Sequence, residues 1–87
     1  MTERKISPHA QEQAARRGVD EATIARIAER PEQVVALRAG REVRQSRIAG
    51  RDGKSYLVRV FVDVAGERET VVTVYMTGKI AKYWRTS

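Results

Sequence analysis

The stretch from Ser55 to Val64 limits most what this chain can become. Tyr56, Val58, Val60, Val62 and Val64 fall on every second position, and Leu57, Arg59, Phe61 and Asp63 fill the gaps. A period of two puts alternate side chains on opposite sides of an extended backbone, so the segment reads as a strand with one apolar face. Such a face is buried only if the strand has neighbours and a covering layer. Gly50-Arg51-Asp52-Gly53 before it and Ala65-Gly66-Glu67 after it are turn sequences, so Glu42–Ala49 and Thr70–Thr77 are predicted as antiparallel neighbours. Val34–Leu37 is a shorter strand reached through a turn at Ala39-Gly40. In Glu42–Ala49 the alternation is weak. Val43 and Ile48 have opposite parity, which predicts a bulge or an end effect.

The covering layer comes from the N-terminal third, where the period is helical. Residues 1–6 are polar and read as frayed. Ser7-Pro8 is a helix start, with Ser as N-cap and Pro at the first helical position. The helix runs from His9 to Arg17 and Gly18 ends it. Asp20 caps a second helix, Glu21–Arg30, whose Ile24, Ile27 and Ala28 share a face before Pro31 stops it. The tail Lys79–Trp84 has no clear period. The expected fold is α+β, ααββββ: two N-terminal helices packed on a four-stranded antiparallel sheet, in one domain spanning residues 1–87. The expected core is Ile24, Ile27, Leu37, Tyr56, Val58, Val60, Val62, Val72 and Val74.

Composition removes many functions. The chain of 87 residues has no cysteine, which excludes disulfides, thiolate catalysis and Cys-ligated zinc. His9 is the one histidine, so no histidine cluster for a metal is expected. No cofactor motif appears: there is no Walker loop, no GxGxxG and no paired-carboxylate pattern. No apolar run approaches the ~20 residues of a membrane span. The N-terminus lacks a signal peptide's apolar centre, so no membrane association and a cytoplasmic location are expected. Seventeen Lys and Arg face 11 Asp and Glu, a net charge of +6. Thirteen of the cations are Arg, whose planar fork matches phosphate, so a nucleic acid is the first partner to consider. A solvated, solubilising charge excess is the plainer explanation.

In the last strand Val72, Val74 and Met76 point one way. Thr73, Tyr75 and Thr77 point the other, and Lys79 continues that parity if the strand extends past Gly78. Arg59 and Phe61 on the preceding strand share that side. Hydroxyls, cations and rings on one face suit phosphates and stacked bases. An ordinary half-exposed sheet also alternates in this way. Arg44 and Arg47 have opposite parity, so only one of them can join the face. Arg16, Arg17, Arg26 and Arg30 read as solvated helix charges. His9 is either a solvated helix residue or a general acid or base. RNA supplies its own 2′-OH nucleophile, so His9, the cations and Tyr75 would suffice for cleavage without a metal.

The segments Pro8-His9-Ala10, Arg17-Gly18-Val19 and Arg30-Pro31-Glu32, with the ending from Val72 to Trp84, resemble a family of small uncharacterised domains. That family is similar to RelE/ParE-like toxins and is grouped with the barnase, EndoU, colicin and RelE class of metal-independent ribonucleases. The resemblance implies a sheet face that cuts RNA, with His9, Tyr75, Thr77 and Lys79 as catalytic candidates. Many relatives have Ser where Gly78 stands. Around these residues Arg44, Arg47, Arg59, Phe61 and Lys82 are the RNA-binding candidates. The expected function is a metal-independent endoribonuclease toxin. The alternatives are a non-catalytic nucleic-acid-binding module, or a module that binds an acidic antitoxin or immunity protein. Val34–Leu37 is an edge through which a dimer could pair.

Overall fold

The computed structural model describes residues Glu3 to Thr86. The elements in chain order are β1 (Glu3–Ile6), α1 (Pro8–Arg17), α2 (Glu21–Glu29), β2 (Gln33–Arg38), β3 (Arg41–Ala49), β4 (Ser55–Ala65), β5 (Arg68–Thr77) and α3 (Ile80–Tyr83). The fold is α+β, as its period change indicates. The sheet has five strands in the order β1-β5-β4-β3-β2. It is mixed rather than purely antiparallel, because β1 pairs parallel to β5.

The helix signals act as read. The Ser7 hydroxyl accepts from Ala10 N and the Asp20 carboxylate accepts from Thr23 N, each satisfying a free amide of a first turn. Gly18 ends α1 at φ 71°, in the left-handed region open to glycine. Ala10, Ala14, Ile24, Ile27 and Ala28 then pack on Val58, Val60, Val62, Val71 and Val74 of the sheet. Each of these core side chains is at most 3% exposed.

Four expectations are corrected. The polar N-terminus is not frayed over residues 3–6. It forms β1, with Arg4 and Ile6 turned towards the helix side and Glu3 and Lys5 away, tied at its ends by Glu3 N to Glu67 O and Ser7 N to Val71 O. Second, β3 and β4 pair without a shift from Arg41 opposite Asp63 to Ala49 opposite Ser55, so β3 has no bulge. Its alternation is blurred because both of its faces are covered: Val43 is buried on one side, and Ile48 packs on the helix-side core on the other.

Third, the bulge lies in β5. Phe61 pairs with Thr73 but Val62 pairs with Val71, leaving Val72 as the extra residue. Val71, not Val72, therefore enters the core, and Glu69 moves to the helix side. Tyr56, half-buried at the β3–β4 turn, and Leu37 also leave the expected core. Leu37 sits at the irregularity of edge strand β2 and is 48% exposed. Fourth, β5 ends at Thr77, so Lys79 does not continue its alternation. It precedes the four-residue α3, which the sequence left without a period.

The β3–β4 turn yields a test. Gly50 lies against the Tyr56 ring. A Cβ built there would come within 2.7 Å of Cδ2, closer still to Cε2, and 2.9 Å from the Asp52 carboxylate. The ring is held by its hydroxyl bond to Asp52. Gly50→Ala is expected to lower stability by about 1–3 kcal/mol through overpacking. Thermal melts of a double-mutant cycle check it, since Tyr56→Ala should remove most of that loss.

Candidate nucleic-acid interface

The face of the sheet turned away from the helices carries odd-numbered residues of β3 and β4 and, beyond the bulge, odd-numbered residues of β5. Gln45 lies opposite Arg59 and Arg59 opposite Tyr75; Phe61 lies opposite Thr73, and Leu57 opposite Thr77. The sequence alternation thus brings Arg59, Phe61, Tyr75 and Thr77 together as expected. The C-terminal segment, which it did not resolve, folds back over this face. Gln33 grips it at Arg85 with both ends of its amide: Nε2 donates to Arg85 O at 2.7 Å and Oε1 accepts from Arg85 N at 3.0 Å. Buried Gln45 donates to Tyr83 O and to Gln33 Oε1. Four of the five aromatic residues gather here, namely Phe61, Tyr75, Tyr83 and Trp84. Tyr75 and Tyr83 meet edge to face at 6.0 Å.

Arginines interleave with these rings. The Arg59 guanidinium lies 4.3 Å from the Tyr83 ring centre and 5.5 Å from that of Phe61, and Arg47 lies 4.2 Å from that of Trp84. The contact holds each cation by the electron-rich ring face. Arg47 also pairs with Glu32 at 2.9 Å, and this bond holds the Glu32 carboxyl below its usual value. Lys82 is exposed, with its ammonium 5.4 Å from the Tyr83 ring.

Arg59 differs from the other arginines. Four described arginines are not fully exposed: Arg4, Arg41, Arg44 and Arg59. The first three are paired with carboxylates. Arg59 has no carboxylate partner among the described residues, and its one protein acceptor is Gln45 Oε1, reached by Nε at 2.9 Å. Arg59 also lines a recess of about 430 Å³ together with Lys82, Tyr83, Trp84, Arg85 and Thr86. Burial pushes the Arg59 guanidinium below its usual value. The Arg85 charge adds to that, and Tyr83 and Tyr75 oppose it. A half-buried cation beside two more cations is an incomplete charge arrangement, and an anion completes it.

The remaining candidates separate. Arg44 lies on the helix side, bound to Glu69, Glu42 and Ala28 O, so of the two candidates Arg47 is the one on this face. The Thr77 hydroxyl accepts from Lys79 N at 3.0 Å, and Lys79 is exposed just beyond it. The Thr77 hydroxyl and Tyr83, with the charges of Arg17 and Lys82, hold the Tyr75 phenol below the usual tyrosine value of 10.0. His9 is exposed on α1, whose buried residues pack on the opposite side of the sheet. No hydrogen bond joins it to Tyr75, Thr77 or Lys79. Sequence reasoning missed Gln33, Gln45, Tyr83, Trp84, Arg85 and Arg17, the last lying 5.5 Å from the Tyr75 ring centre. A tail holding the chain's lone tryptophan beside an arginine was the available signal.

Among the described residues no group of three or more His, Asp or Glu side chains is placed to hold a metal ion, and no helix is long and apolar enough to cross a membrane. Comparisons with family models, with curated proteins and with solved structures give no match.

Proposed function

We propose that the face opposite the helices binds single-stranded RNA, with a backbone phosphate on Arg59 and bases against Tyr75, Tyr83 and Trp84. The half-buried Arg59 guanidinium, with no carboxylate partner among the described residues and lining that recess, carries the reading. A fork of two N–H groups matches two phosphate oxygens. The rings beside it offer stacking that any base can use, so little sequence preference is expected. Filter binding of an oligouridylate across a salt series tests this. Affinity should fall with salt with a log–log slope of about −0.7 per phosphate contact. A flat salt series would contradict it.

The second reading is metal-independent RNA cleavage on the same face, as the sequence resemblance implies, and the placement of Tyr75 opposite Arg59, with Lys79 just beyond Thr77, favours it. A Tyr75 phenolate would take the 2′-OH proton, and the 2′ oxygen would attack the adjacent phosphorus. Arg59 would offset the charge that builds on the phosphorane, and the leaving 5′ oxygen would take a proton from Lys79. The products would be a 2′,3′-cyclic phosphate and a 5′-OH. Gel analysis of total RNA incubated in EDTA tests it: Tyr75→Phe should lower the rate by about 10²–10⁴-fold, and His9→Ala should leave it unchanged. Binding without cleavage leaves the first reading alone.

A further inference from the structure

A cleft larger than the Arg59 recess lies on the other side of the sheet. It measures about 680 Å³, within the roughly 300–1,000 Å³ of small-molecule sites. The last turn of α1 and the α1–α2 turn form one wall, and the β3–β4 turn forms the other. Val19, Ile48, Met76 and the Tyr56 ring give it an apolar lining, and Arg16, Arg17 and Arg51 stand at its rim. Its two carboxylates are already engaged, Asp20 on Thr23 N and Asp52 on the Tyr56 hydroxyl and Lys54 N. Arg16 is paired with Glu12. Arg17 and Arg51 are exposed and have no carboxylate partner among the described residues.

The cleft meets the Arg59 face round one edge of the sheet. β1 ends at Ile6 opposite Val71, so from Val72 to Thr77 no strand lies beyond β5. Tyr75 and Met76 are consecutive and point to opposite sides of β5. Tyr75 lies on the Arg59 face and Met76 lines the cleft. Arg17 belongs to both, since it lines the cleft and its guanidinium sits 5.5 Å from the Tyr75 ring centre. A cation therefore stands where a backbone passing from one side to the other must turn.

We infer that one nucleic-acid strand runs from Arg59 past Tyr75 and round this edge, and that the cleft takes a nucleobase of that strand. The base lies on Met76, Ile48 and Val19, and Arg17 and Arg51 take the flanking phosphates. This rests on the reading of the Arg59 face as a single-stranded RNA surface, and it adds a second base site and a length requirement. A duplex, stiff over roughly 50 nm, cannot follow the path and has no free base to insert. The ligand is single-stranded and spans several nucleotides, with a weaker hold on pieces too short to turn the edge.

Fluorescence anisotropy with a labelled triadenylate and a labelled octaadenylate tests it. The Arg17→Glu/Arg51→Glu variant should bind the octamer at least about tenfold more weakly, with a salt slope reduced by about 1.4 for two lost phosphate contacts, and should lose clearly less affinity for the trimer, which meets only Arg17 beside the Tyr75 ring. Arg59→Gln should weaken both. Arg30→Glu/Arg68→Glu makes the same charge change at exposed sites elsewhere, and an equal effect there overturns the cleft. So does an octamer affinity untouched by the Arg17 and Arg51 changes, while an Arg59→Gln loss keeps the face. If Arg59→Gln changes neither affinity, the face reading fails. The cleft is then judged by the ¹³C-methyl resonance of Met76, one of two methionines. A base stacked on it moves that resonance on octamer addition, and an unmoved resonance overturns the inference whichever way the Arg59 result falls.

Discussion

Glu69→Gln is expected to lower stability by about 2–4 kcal/mol, a little under the roughly 3–5 kcal/mol lost when one partner of a fully buried ion pair is removed. Glu69 and Arg44 are each 11% exposed and meet through two hydrogen bonds, at 2.7 and 2.9 Å. Arg4 adds two more bonds to the same Glu69 oxygen. The substitution leaves Arg44 with Glu42 as its one carboxylate and Arg4 with the exposed Glu29, and puts an NH2 donor where one Glu69 oxygen accepted. The pair also gives a pH signature. Arg44 first, and Arg4 after it, hold the Glu69 carboxyl below its unfolded value of 4.5 against the opposing effect of burial. A carboxyl lowered on folding contributes stability that is fully present above the unfolded value. That contribution is lost as pH falls through the folded one. Wild type should therefore lose stability below about pH 4.5, and Glu69→Gln should lose less over that range while starting lower. Urea unfolding between pH 3 and 7 checks both parts.

The β5 bulge explains why this pair exists at all. With unbroken alternation Glu69 would share a side with Thr73, Tyr75 and Thr77, on the Arg59 face. The extra residue at Val72 sends Glu69 to the helix side, where Arg44 and Arg4 receive it. The bulge was not readable beforehand, because Val71 and Val72 are the same residue and either one fills the core position. The even and odd sets of β4 were readable, because five apolar residues repeat without interruption between two turn sequences. That repeat placed Arg59 and Phe61 together, and the shorter alternation of β5 added Tyr75 and Thr77.

The choice between Arg44 and Arg47 needed the β3–β4 register, which puts Arg44 opposite Val60 and Arg47 opposite Leu57. A period-two pattern blurred by cover on both faces cannot supply that register. β1 stayed hidden because four residues have no period of their own and acquire an inside and an outside only beside Arg68–Val71. The tail stayed hidden for a similar reason. What orders Tyr83, Trp84 and Arg85 is two glutamines some 40 to 50 positions earlier, at separations of 38 and 52 residues.

Arg59 should respond in the opposite sense to Glu69. Arg59→Gln removes a half-buried cation that has no carboxylate partner among the described residues and costs Gln45 one bond, so stability should stay within about 1 kcal/mol of wild type. RNA affinity should fall about 10- to 100-fold, the worth of roughly 1.5–3 kcal/mol for a hydrogen bond to a charged group. Large loss of binding with little loss of stability distinguishes a residue held for its ligand from one held for the fold. Arg44 and Arg59 sit on neighbouring strands, and by this measure they play opposite parts.

The most direct measurement uses Trp84, the chain's only tryptophan, which lies under Arg47 beside the Arg59 recess. Its fluorescence is followed while an oligouridylate is added to wild type and to Arg59→Gln at low and at physiological salt. The account expects saturable quenching in wild type that weakens steeply with salt and shifts about 10- to 100-fold in the variant. An unchanged Trp84 signal, or equal titrations for the two proteins, would contradict it.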